Sequence, residues 1–177
     1  MNRIRFAGPA LALLAPLAVS AAEPSPVVSL AEGHIVLTAP AGWVRQEPRV
    51  RIIDAEFSVP AAEGDPADGR ITIMAAGGSV QQNLNRWVGQ FAQTQRNQVD
   101  KLQIAGRELQ RVDLVGTYKD QKTPFTPAVM RENYRMLGAI IPTDEHGNYF
   151  IKFYGPQATV TKHEEAFQKF LGSLQVK

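Results

Sequence analysis

Apolar residues in this chain recur mainly at every second position, and only two stretches carry them at helical spacing. Side chains alternate between the faces of a strand but return to one face of a helix every three or four residues. The pattern therefore predicts a sheet with two helices laid on it. In residues 50–59, Ile53, Ala55, Phe57 and Val59 fall on one face, and Ile52, Asp54, Glu56 and Ser58 on the other. In residues 130–141, Met130, Tyr134, Met136 and Ile140 share a face, with Glu132 as its polar exception. Arg131, Asn133 and Arg135 share the opposite face, followed by Leu137, Ala139 and Ile141. Shorter alternations predict strands at 34–38, 70–75, 102–104, 108–118 and 149–154. Turn residues separate them: Pro40-Ala41-Gly42 with Trp43 re-entering the core, Gly64-Asp65-Pro66, Asp68-Gly69, Gly106, and Asp144 to Asn148 with Gly147 at the tight position.

The first helix is predicted from Ser79, a good N-cap with Gln82 placed to reach back to it. Val80, Leu84, Trp87, Val88 and Phe91 form its apolar stripe, which carries the helix to about Gln95. The second is predicted after Thr161, with Glu164 completing a capping box and Phe167, Phe170, Leu171 and Leu174 facing inward. Consecutive strands joined by short turns form hairpins, so the sheet is expected to be mainly antiparallel. The fold class that follows is α+β, an αβα sandwich with two amphipathic helices covering the sheet.

Residues 1–22 read as a signal peptide. Arg3 and Arg5 make a positive start, an apolar run follows, and Ser20-Ala21-Ala22 supply small residues at the cleavage point. Residues 23–33 read as a flexible leader and 34–177 as a single domain. Cleavage after Ala22 removes two arginines and no acid, so the formal charge of +2 falls to zero. A neutral chain with scattered charges offers no footprint for nucleic acid or an anionic membrane. With no cysteine, the chain has no disulfide, no thiolate chemistry and no lipid-modified cysteine, so no stable membrane anchor is expected after cleavage. Its core alone must hold it, which a chain of 155 residues can manage.

The Pro40-x-Gly42-Trp43 turn, the helix after an early hairpin, the late hairpin and the closing Phe167-x-x-Phe170-Leu171 helix together resemble the PsbP-like group. The resemblance covers most of the mature chain. It implies an antiparallel sheet between helices, and a non-catalytic binding or assembly role. That group shares no catalytic set, so the resemblance assigns no functional residue here.

The residues themselves argue against several chemistries. His34, His146 and His163 fall in three different elements, and His163-Glu164-Glu165 lacks the second histidine of a zinc-protease helix. Asp65, Asp68 and Gly69, like Asp144, Glu145 and Asn148, lack the ligand spacing of a calcium loop and read as turns. Gly77-Gly78-Ser79 is neither a nucleophile elbow nor a phosphate loop. Asp54 and Glu56 lie roughly 7 Å apart on one strand face, a spacing that could suit a glycosidase-like pair but reads as a solvated face. No cofactor is implied.

Two surfaces remain as binding candidates. One is the helix face of Asn83, Arg86 and Gln90 beside Trp87. The other is the row Arg131, Asn133, Arg135, whose guanidinium groups could grip a carboxylate or an acidic partner segment, or else pair with Asp113 across the sheet. The expected function is a non-enzymatic exported binding or assembly module, with a protein partner or a small ligand still open. In the surface reading, Arg135→Glu abolishes capture without changing stability. A carrier of small apolar ligands is the alternative, its pocket lying between the sheet and the first helix and lined by Trp87, Tyr118, Tyr134 and Met136. A hydrolase whose site assembles only in three dimensions is the remaining option.

Overall fold

The computed structural model describes residues 26–48, 50–121, 125–143 and 145–177. The expected signal peptide, the first residues of the expected leader and Asp144 lie outside them. The alternating segments form two antiparallel sheets. The smaller contains β1 (Val27–Leu30), β2 (Ile35–Thr38) and β10 (Gln175–Val176), in the order β1-β2-β10. The larger contains β3 (Val44–Gln46), β4 (Ala55–Val59), β5 (Gly69–Ala76), β6 (Phe91–Ile104), β7 (Arg107–Asp120), β8 (Val129–Thr143) and β9 (Gly147–Pro156). Its order is β3-β4-β5-β9-β8-β7-β6. Among the described residues three α-helices complete the α+β fold: α1 (Val80–Val88), α2 (Gln157–Lys162) and α3 (Glu164–Gly172).

One face of the large sheet meets α2, α3 and the small sheet. Phe57, Ile71, Ile73, Leu137, Ile151 and Phe153 are buried there against Ile35, Leu37, Val160, Phe167, Phe170 and Leu171. Trp43 closes this core, its ring 5.4 Å from that of Phe170 and 6.2 Å from that of Phe153. The opposite face holds a second core in which Leu84 and Trp87 of α1 pack on Val112, Leu114, Met136, Ile140 and Phe150. Each such large apolar side chain contributes about 1.5–3 kcal/mol by leaving water. Gly138 makes room for α1, because a Cβ there would stand 2.4 Å from the Trp87 ring. The capping box at the start of α1 forms: Ser79 Oγ accepts from Gln82 N at 3.2 Å, and Gln82 Oε1 accepts from Ser79 N at 2.9 Å.

Four expectations are corrected. Residues 27–33 are not leader: they supply β1 and a short 3-10 turn, and the Val28 and Leu30 side chains are buried. The first helix stops at Val88, with Gly89 as its C-cap. Phe91 continues the helical stripe in the sequence, yet it opens the edge strand β6 and packs edge-on against Tyr118 at 5.5 Å. From Ala92 to Lys101 β6 carries apolar side chains only at Ala92 and Val99 and pairs with β7 alone, so that stretch displays no period that sequence reading could detect, and only its end, Leu102–Ile104, alternates. Residues 50–53 form a turn, and only 55–59 of the expected strand are extended. Thr161 lies inside α2 and is not a cap; α3 begins at Glu164 with no side-chain cap from His163.

Candidate binding cleft

Helix α1 is only nine residues long and covers only part of its sheet face. The uncovered part is floored by alternate residues of four neighbouring strands. Glu56 of β4, Arg70 and Thr72 of β5, Lys152 and Tyr154 of β9, and Tyr134 of β8 point the same way, as the pairings Glu56–Thr72, Thr72–Lys152, Arg70–Tyr154 and Gly138–Lys152 require. Tyr118 of β7 joins them, and its ring stacks on Tyr134 at 5.9 Å with the planes 6° apart. Together with Gln90, Asp120 and the turn carrying Val50 and Ile52, they line a cleft of about 580 Å³.

The charges in the cleft are arranged unequally. Arg70 forms a two-pronged ion pair with Glu56, at 2.7 and 2.8 Å, and also donates to the Tyr154 hydroxyl at 2.6 Å. The Glu56 carboxylate holds the Arg70 guanidinium firmly protonated, outweighing the effect of burial. Among the described residues Lys152 has no such partner. Its ammonium donates to Gln90 Oε1 at 3.1 Å and stands 3.5 Å from the Tyr118 hydroxyl, over the Tyr154 ring at 4.2 Å. Burial, then the positive charges of Arg70 and Arg86, push the Lys152 amine down to about 7, with Asp120 opposing. Burial raises the Tyr118, Tyr134 and Tyr154 hydroxyls, so all three stay protonated donors near neutrality.

The row Arg131, Asn133, Arg135 is not a row. Asn133 adopts φ of 54° and sits at an irregularity where Arg131 pairs with Tyr118 while Tyr134 pairs with Gly116. The extra residue flips the phase of the strand. Arg131 moves to the Tyr118 and Tyr134 side and bonds Asp120 at 3.2 Å. Arg135 points to the other face and is buried, at 4% exposure. There it bonds Asp113 through Nε and Nη2, both at 2.9 Å, and Glu164 at 2.8 Å and Thr161 at 3.1 Å through Nη1. It is an internal clamp between β8, β7 and α3, with no free fork to offer a partner. Asn133 lines a separate shallow depression with Asp65, Gln157 and Thr161.

The helix-face candidates also separate. Asn83 is buried and donates to Gly77 O at 3.1 Å and Ser79 O at 2.9 Å, fastening the start of α1. Arg86 donates to Asn83 Oδ1 from an exposed position. Gln90 alone reaches the cleft wall. Of the expected apolar pocket, Trp87 and Met136 are buried in the core under α1, while Tyr118 and Tyr134 line the cleft beside it. The suspected carboxylate pair is divided: Asp54 accepts from Ala75 N at 3.0 Å and Glu56 holds Arg70. His34 stacks on His146 at 4.8 Å, and His163 Nε2 lies 2.9 Å from Pro60 O. Among the described residues no three metal-ligating side chains cluster, and no helix is long and apolar enough to cross a membrane.

Sequence reading passed over Lys152, Arg70, Tyr154 and Asp120. Lys152 did leave a signal: it stands between Phe150 and Tyr154 on one face of a strand whose other face carries Tyr149, Ile151 and Phe153. A lysine amid that much apolar surface is rare unless its charge is used or compensated.

These layers, a long antiparallel sheet with helices on both faces, define a PsbP-like α+β sandwich. The chain is similar to cyanobacterial PsbP (CyanoP) of Synechocystis sp. PCC 6803, with a TM-score of 0.56 and 11% identity over 93% of this chain and 99% of that one. It is also similar to the Ran-binding protein Mog1p of Saccharomyces cerevisiae, with a TM-score of 0.50 and 12% identity over 86% and 95% of the two chains. A Mog1 point mutant matches with a TM-score of 0.50 and 10% identity, over 87% and 96%. At these identities what is shared is the fold. No family model matches the chain, and no curated protein matches it.

Proposed function

We propose that this protein is an exported, non-enzymatic binding module that docks a partner protein over the tyrosine-lined cleft. The observation that carries this reading is the pairing of a polar, aromatic floor with exposed apolar lips. Ile52 and Val50 stand on one side at 69% and 50% exposure. On the other, the hairpin that leaves the cleft at Asp120 and Gln121 carries Phe125 at 96% exposure, with Val129 paired to Asp120. Tyrosine and arginine surrounded by apolar contacts that exclude water are the usual composition of an energetic centre in a protein interface. The Ran-binding description of a protein with this fold supports the same reading by analogy. The cleft volume also lies in the range of small-molecule sites, so a small-ligand carrier is the second reading.

Two measurements test the proposal. N-terminal sequencing of the exported protein should start at Glu23; a chain retaining Arg3 and Arg5 in that compartment removes the signal assignment. Affinity capture from the exported fraction should recover a partner whose yield drops about tenfold with Ile52→Asp, the loss of one lip contact worth roughly 1.4 kcal/mol. Ile52 is exposed in a turn, so the variant keeps the wild-type melting temperature. Equal capture by Ile52→Asp and wild type overturns the docking surface.

A further inference from the structure

Among the described residues two cations line the cleft, and only one is neutralised by a carboxylate. Arg70 is matched by Glu56, whereas Lys152 has a glutamine amide, a tyrosine hydroxyl and an aromatic face. The groups facing the Lys152 amine come from every surrounding element. Arg70 on β5 and Arg86 on α1 are positive, Asp120 on β7 is negative, and Tyr118 and Tyr154 are neutral hydroxyls. Arg70 and Arg86 disfavour the charged amine and Asp120 favours it, while Glu56 offsets the charge of Arg70. A buried ammonium with no adjacent carboxylate among the described residues lacks the anion that would offset its lost hydration. On the side toward which the amine leans, over Tyr154 and beside Tyr118, the Tyr134 ring stacked on Tyr118 supplies aromatic surface to the cleft.

We infer that the cleft is a site for an aromatic carboxylate, its carboxylate on the Lys152 ammonium and its ring against the Tyr134 ring. A charge-assisted hydrogen bond fixes one end of such a ligand, and burial of the ring holds the other. The carboxylate can belong to a free acid or to an aromatic residue at the C-terminus of a polypeptide. The site shares the cleft of the docking reading but requires no protein partner.

The proton balance gives the site a signature. With the amine held at about 7, both forms are populated near neutrality, and only the ammonium pairs with a carboxylate. Binding therefore takes up a proton. Between pH 6 and pH 8 the protonated fraction, and with it the apparent affinity, falls about tenfold. An ordinary lysine, titrating near 10.4, would show no change over that range.

Calorimetric titration of the mature protein with phenylacetate tests this, with 2-phenylethanol as the uncharged counterpart. The expected result is phenylacetate binding at pH 6, about tenfold weaker at pH 8, absent in Lys152→Met and absent for the alcohol. Lys152→Met keeps the length of the side chain and removes a buried charge, so it folds; the pH comparison on the wild-type protein stands independently of it. A peptide ending in phenylalanine, as free acid and as amide, separates the sources. Binding of the acid peptide without phenylacetate assigns the site to a chain terminus, and binding of phenylacetate without the peptide assigns it to a free acid. The inference is overturned if neither carboxylate binds at about 10 mM, if affinity is equal at pH 6 and 8, or if Lys152→Met binds like wild type. None of those results touches the Ile52 capture experiment, so the two readings fail separately.

Discussion

Replacing Arg135 with methionine should destabilise the protein by about 3 kcal/mol, because it strands partly buried carboxylates. For a chain of this size that is a melting temperature lower by roughly 10 °C. The side chains of Arg135 and Asp113 are 5% and 12% exposed, so neither can recover its hydration when the other is removed. Glu164 loses its partner as well, and with it the tie between α3 and the sheet. Arg96 remains on Asp113 at 2.9 Å, which keeps the loss near the lower end for a broken buried pair. Arg135→Glu should be worse, since it gathers three carboxylates at one point. Arg131→Met is the contrast: its pair with Asp120 is 45% and 35% exposed, and its loss should stay within about 1 kcal/mol.

The pH dependence of that difference follows from Asp113. Burial works against its charge, but hydrogen bonds from Arg135 and Arg96 outweigh burial and hold the carboxyl below its ordinary range. A depressed carboxylate contributes stability that is fully present above its unfolded value near 4 and is lost as pH falls through the folded one. The gap between wild type and Arg135→Met should therefore be constant from pH 7 to about 5 and narrow on further acidification. Chemical denaturation at pH 7 and pH 3 measures it. A gap that widens in acid would contradict the assignment of Asp113 as the partner.

Gly116→Ala should cost about 3 kcal/mol or more, at the upper end of what overpacking does. Gly116 of β7 lies opposite Thr94 on one side and Tyr134 on the other, with a register irregularity beside it in both ladders. A Cβ there would stand 1.9 Å from the Gln93 carbonyl oxygen and 2.9 Å from its carbon. The obstacle is backbone, so no side chain can rotate out of the way; β6 must move. Amide exchange should show this directly, as lost protection in β6 near Thr94 while β8 and β9 remain protected. Unchanged exchange throughout β6 would mean that the strand is not held against β7 at this point.

The effects of Arg135 and Gly116 both arise where local patterning misleads. Alternation placed Arg131, Asn133 and Arg135 on one strand face, and one residue at φ of 54° sends Arg131 and Arg135 to opposite sides of the sheet. A single inserted residue leaves no mark in the pattern, since Asn133 is polar on either face. Phe91 sat at the right spacing for the helical stripe, and Gly89 was too weak a stop to reveal the change to strand. By contrast, the Ser79–Gln82 cap, the apolar faces of α1 and α3, and the antiparallel pairing of β4 with β5 and of β8 with β9 follow directly from residue order. Each depends on contacts between near neighbours in the chain.

The α+β class, the hairpins and the apolar faces thus follow from the linear order of residues, because alternation, capping and turn chemistry act over short separations. Which charges meet is decided by the strand order, with β9 inserted between β5 and β8. That insertion carries Lys152 to Gln90, 62 positions away, and places Tyr154 over Arg70, 84 positions away. The cleft exists because α1 is too short to cover its sheet face, and its charge arrangement because the Glu56 carboxylate is taken up by Arg70 while Lys152 has none among the described residues. Both are consequences of packing between distant segments, where a side chain's neighbours are set by the sheet and not by the chain.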